Sequence, residues 1–171
     1  MNFFEQLKKI DLNKLHPLQK EIFIKLKPLL EKILPNKLDL EKSIIKVYEG
    51  ELGTVFTIEI YPIENKLPSI IISFEHEDLY YAFADYHIHY HKFYSMSDKF
   101  KQTIINEIIN EIEKYLNGVY VESYYDSKKA IAKEKFYFSK DKKCFLQKSY
   151  GFFNFFKKVV KIEKQSFTFY L

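Results

Sequence analysis

The sequence predicts an α+β fold: a single antiparallel sheet, with N-terminal helices and one central amphipathic helix packed largely on one face. Three observations lead there. Hydrophobic periodicities follow the order helix, strands, helix, strands. Two pairs of strand-like runs read as hairpins, around Gly50–Gly53 and Asp126–Lys129, which suits antiparallel pairing. No stretch of the 171 residues has the composition or length of a linker, so residues 1–171 read as one domain, a helical segment 1–40 followed by an α+β body 41–171.

The elements follow in order. Phe3–Ile10 reads as one or two short amphipathic helical turns. From Pro17 a second pattern places Leu18, Ile22, Leu26, Leu29, Leu30 and Ile33 on one face. Pro17 suits the first helical position, where its missing N–H costs nothing. Pro28 should kink or split this helix, because an interior proline costs about 3 kcal/mol, and Pro35 ends it. Ile44–Glu49 and Thr54–Tyr61 flank Gly50–Gly53 as a hairpin. Ser69–Glu75 repeats the alternation, a turn is expected at Glu77–Asp78, and a long strand then runs from Leu79 to His91. A helix starts at Ser95 or Ser97, carries a stripe from Phe100 through Ile104, Ile105, Ile108, Ile109 and Ile112 to Leu116, and stops before Gly118. Val119–Tyr125 and Ala130–Phe138 form a second hairpin around Asp126–Lys129. Lys140–Lys143 turns the chain, and Val159–Leu171 supplies one or two closing strands.

Charge is uneven. The net formal charge is +4, yet residues 51–97 hold 2 Lys against 7 acids, an acidic island between basic flanks. Such asymmetry bears on partners rather than on fold. All 27 basic residues are Lys, which weakens any reading that needs bidentate guanidinium contacts to phosphate or guanine. The single Cys144 excludes an internal disulfide and a Cys-based zinc site, and sits among lysines as an incidental thiol. Met1–Ile10 has no signal-like apolar region and no apolar run reaches membrane-spanning length, so a cytoplasmic protein is expected. No Walker loop, dinucleotide fingerprint or nucleophile elbow appears.

Polar chemistry concentrates in Tyr80–His91. If this stretch is one strand, alternation puts Tyr81, Phe83, Asp85, His87, His89 and His91 on one face, where neighbouring strands add Glu59, Ser73 and Glu75. Imidazoles with carboxylates beside them suit a divalent metal such as zinc, with His87, His89 and Asp85 as ligands, or general acid–base work in a metal-dependent hydrolase. Histidine and tyrosine are equally ordinary occupants of a half-exposed sheet face. On that reading Tyr81, Asp85, His87, His89, His91, Glu59 and Glu75 form a partner-binding surface without catalytic residues or cofactor. In the C-terminal part, Lys128–Leu171, 12 Lys stand against 3 acids with aromatics between them. That composition can bind single-stranded nucleic acid, but solvated lysines over a core of aromatics explain it better, and no nucleic-acid motif accompanies it. The run Gly151–Phe156 is either a core edge or a sticky interface patch.

The strand end Asp-Tyr-His-Ile-His-Tyr (Asp85–Tyr90), a short Ser/Asp loop, an amphipathic helix ending Leu-Asn-Gly (Leu116–Gly118) and a following strand pair resemble small bacterial immunity proteins of polymorphic-toxin systems. The resemblance covers about residues 54–138. It implies a cytoplasmic antidote that binds a cognate toxin and blocks its active site, with no catalysis of its own. Immunity proteins facing nucleases tend to be acidic, whereas this chain is basic overall. The resemblance therefore implies a non-nuclease toxin or a contact confined to the acidic region 51–97.

Overall fold

The structure, a computed structural model, describes residues 1–51, 53–84, 86–150 and 158–170. The described residues are α+β, with three α-helices and strands in two antiparallel sheets where the sequence pattern led to one. The chain divides into two compact units, Met1–Ile112 and Glu113–Leu171.

The first unit opens with α1 (Phe3–Lys9). Asn2 caps it, its side chain accepting from the Glu5 N–H while Glu5 reaches back to the Asn2 N–H. Helix α2 (Pro17–Leu30) starts at Pro17 as expected. Pro28 does not split it: the helix continues through the proline to Leu30 and ends within its last turn. Strands β1 (Ile44–Gly50), β2 (Gly53–Ile60), β3 (Ile70–Glu75), β4 (Asp78–Phe83) and β5 (Tyr86–Tyr90) form a meander in sequence order. Helix α3 (Asp98–Asn117) follows, its last turn belonging to the second unit.

One face of this sheet is apolar. Phe56, Ile58 and Ile60 on β2 lie opposite Phe74, Ile72 and Ile70 on β3, all buried. The Phe23 ring of α2 meets Phe56 edge-on at 5.9 Å, and Phe74 packs against Phe93 at 6.1 Å. Ile104, Ile105, Ile108 and Ile112 of α3 are buried too, so packing offsets the modest helix propensity of an isoleucine-rich stripe. Gln19, 1% exposed, is held at both ends of its amide: it accepts from the His16 N–H and donates to the Thr54 carbonyl.

The expected long strand Leu79–His91 is a hairpin. Phe83 stands opposite Tyr86, and Ala84 has φ 58°, the left-handed conformation a tight reversal needs. The preceding turn falls one residue early, at His76–Glu77, with His76 at φ 54°, so Asp78 belongs to β4.

In the second unit β6 (Val119–Tyr125), β7 (Ile131–Phe138), β8 (Cys144–Ser149) and β9 (Lys161–Phe167) are arranged in the order β8-β7-β6-β9. Its core is aromatic: Tyr115 packs on Phe169 at 5.0 Å, and Phe138 stacks on Phe145 at 4.4 Å. Glu134, 4% exposed, accepts hydrogen bonds from the Ser123 and Tyr150 hydroxyls. Gly118 has φ 143°, and a Cβ there would lie 3.1 Å from Ser139 Oγ and 3.2 Å from the Phe167 carbonyl oxygen. Only glycine fits the junction between α3 and β6 without strain.

Candidate functional site

The hairpin turn decides what faces solvent. The register pairs Tyr80 with His89, Tyr81 with Ile88 and Ala82 with His87. Even-numbered residues of β4 therefore share a face with odd-numbered residues of β5. His87 and His89 lie on the outer face, as does Tyr80, which alternation along one continuous strand would have put on the opposite side.

Tyr81 is the correction that follows. Placed with the histidines by the sequence pattern, it points into the core instead, 2% exposed, and its hydroxyl donates to Glu111 Oε2 of α3 at 2.8 Å. Burial first, and then the facing Glu111 carboxylate, push its pKa far above the ordinary tyrosine value. It belongs to no surface. Asp85, expected in both the partner-binding and the metal set, lies outside the described residues, as do Phe152–Phe156.

The outer face carries Thr57 and Glu59 from β2, Ser73 and Glu75 from β3, Asp78 and Tyr80 from β4, and His87 and His89 from β5. Glu59 accepts from the Tyr61 hydroxyl at 3.0 Å and is half-buried. Ser73 Oγ lies 2.8 Å from Thr57 Oγ1 and donates to the exposed Glu75 at 3.3 Å. The Tyr80 ring stacks on His87 and meets His89 edge-on, both at 6.2 Å, and its hydroxyl shares a hydrogen bond with His87 Nδ1 at 3.0 Å. That bond occupies one ring nitrogen of His87. An open cleft of about 430 Å³ is lined by Ser73, Glu75, His76, Asp78, Tyr80 and His89.

At one end of the face, Asp78 gathers three partners. Its Oδ1 accepts from the Lys92 N–H at 2.8 Å. Its Oδ2 lies 2.9 Å from His89 Nε2 and 3.2 Å from His91 Nδ1. The Lys92 N–H, then His91 and His89, hold the Asp78 carboxyl below the ordinary aspartate value. The His89 and His91 rings lie 3.9 Å apart between centroids, tilted by 43°. Asp78, Tyr80 and His76 are the site residues that sequence reasoning missed. The available signal was length: Leu79–His91 exceeds the roughly 3–10 residues of an ordinary strand, and folding it in half brings Asp78 beside the histidines.

The second unit presents a different outer face, with Tyr120, Glu122 and Tyr124 of β6 beside Lys133, Lys135 and Tyr137 of β7 and Lys164 of β9. Tyr120 stacks on Tyr137 at 4.7 Å, and the Lys133 and Lys135 ammonium groups sit over Tyr124. Lys164 pairs with Glu122 at 2.6 Å, and Lys161 pairs with Glu163. These cations already have anionic or aromatic partners, with which a phosphate backbone would have to compete. Cys144 is exposed, its thiol directed to the Leu146 carbonyl.

Among the described residues no helix is long and apolar enough to cross a membrane. Comparison with family models, with curated proteins and with solved structures finds no match to the chain.

Proposed function

We propose that the chain is a non-enzymatic protein-binding module of the immunity type, working in the cytoplasm and using the outer face of the first sheet to engage a cationic surface on a cognate toxin. One observation carries this reading: Glu59, Glu75, Asp78, Tyr80, His87 and His89 lie together on a single sheet face, with His87, His89 and Glu75 exposed. Tyrosine and histidine give contact area at small entropic cost, and carboxylates steer a basic partner into register. The acidic balance of residues 51–97 fits such a partner.

Calorimetric titration with the toxin domain encoded beside this chain tests it. The expected result is a 1:1 complex that Glu75→Lys together with His87→Ala weakens about tenfold or more, mostly through faster dissociation. No binding to that neighbour overturns the immunity reading.

A further inference from the structure

Within the outer face, the Asp78 cluster has a geometry that partner binding does not require. Asp78, His89 and His91 each offer one ligand atom, and the three atoms all lie within 4.8 Å of one another. Asp78 Oδ2 lies 2.9 Å from His89 Nε2 and 3.2 Å from His91 Nδ1. Tetrahedral zinc with bonds of 2.0–2.1 Å sets its ligand atoms about 3.3 Å apart, so both measured edges are within a few tenths of an ångström of that value. The trio also has an outer support. Lys92, at φ 53°, turns the chain just after His91 and presents its N–H to Asp78 Oδ1. That bond leaves Oδ2 toward the imidazoles, the kind of orienting contact that metal-ligating carboxylates have.

We propose that Asp78, His89 and His91 form a binding site for a zinc-class divalent cation, with a fourth coordination position reachable from the cleft that Asp78 and His89 help to line. Two imidazole nitrogens and one carboxylate oxygen are a borderline donor set. It favours zinc, cobalt, nickel or copper over magnesium and calcium, which demand more oxygen ligands. The ligands come from the start of β4, the end of β5 and the residue after it, so the cation would tie the open end of this hairpin together at the edge of the sheet. The set differs from the one alternation suggests, because the hairpin brings Asp78 beside His89 and His91. The site stands independently of the toxin-binding reading and needs no partner for its test.

The full chain, stripped with chelator and exchanged into a non-coordinating buffer, is titrated with zinc chloride by calorimetry and with cobalt(II) by visible absorption. One ion per chain with a dissociation constant below about 100 µM, and the intense visible bands of low-coordinate cobalt, support the site. His89→Ala and His91→Ala should each weaken binding at least about tenfold. His16→Asn, which keeps a side chain able to cap α2, should leave the titration unchanged. Zinc binding weaker than that limit, or equally strong in both alanine variants, overturns the proposal. Should an alanine variant misfold by circular dichroism, zinc-induced shifts of the His89 and His91 imidazole resonances in the unmodified chain decide instead: no selective shift of those two rings overturns it equally.

Discussion

Replacing Tyr81 by Phe separates a tyrosine that faces solvent from one that faces the core. The ring stays buried in either amino acid, so apolar packing is preserved and only the hydroxyl is lost. In the structure that hydroxyl donates to Glu111 Oε2 at 2.8 Å. A hydrogen bond to a charged acceptor contributes about 1.5–3 kcal/mol, and the half-buried Glu111 places the expected loss near the lower end, about 1.5–2 kcal/mol. At roughly 2–4 °C per kcal/mol for a chain of this size, the melting temperature should fall by about 3–8 °C. Urea unfolding followed by circular dichroism measures the free energy directly. A double-mutant cycle with Glu111→Gln should return a coupling of about 1 kcal/mol or more. A loss below about 0.5 kcal/mol, the usual scale of a surface substitution, would refute the placement of Tyr81 and with it the hairpin register.

Other substitutions probe the second unit and the acid limb. Gly118→Ala should destabilise by about 1–3 kcal/mol in thermal melts, because φ 143° is foreign to an L side chain and the new methyl meets Ser139 and the Phe167 carbonyl; an unchanged melting temperature would contradict that junction. Ser123→Ala leaves the buried Glu134 carboxylate short of one donor and should cost about 1–3 kcal/mol in denaturant titration, whereas a neutral result would show Glu134 satisfied in another way. For Glu122, Lys164 and then the Tyr124 hydroxyl, with Tyr137 adding less, hold the pKa below its ordinary value of 4.5. The stabilisation from a depressed carboxylate is fully present above the unfolded pKa and disappears as pH falls through the folded one. Glu122→Gln should therefore be less stable than the parent chain at pH 6 and converge with it at strongly acid pH; a gap independent of pH would exclude the ionic origin.

Much of the architecture is written in local periodicity. The α3 stripe and its terminating glycine, the Gly50–Gly53 hairpin, and the alternation of Phe56, Ile58 and Ile60 all locate elements correctly, because each signal is carried by residues close in sequence. Two features are not local. Alternation reveals strands but not their partners, so nothing in Tyr86–Tyr90 or Val119–Tyr125 says that they belong to different sheets. The reversal at Ala84 lacks the glycine that usually announces so tight a turn, and Asp85 alone is a weak signal inside an alternating run; the positive φ falls on an alanine, a residue that disfavours it. The same omission hid Asp78. Its role depends on β4 and β5 lying side by side, which a single extended strand cannot express.

That two-residue connection sets more than a change of direction. Adding or removing one amino acid beside Ala84 without changing the length of the turn itself would slide β5 by one residue along β4 and reverse the inside–outside assignment of everything downstream to Tyr90. The imidazoles of His87 and His89 would be driven under the sheet, and Ile88 and Tyr90 lifted into water. Loops usually tolerate such length changes cheaply. Here the surface chemistry is encoded in the register across one short bend, so a length change at that point is harmless only where the bend itself absorbs it and Phe83 stays opposite Tyr86.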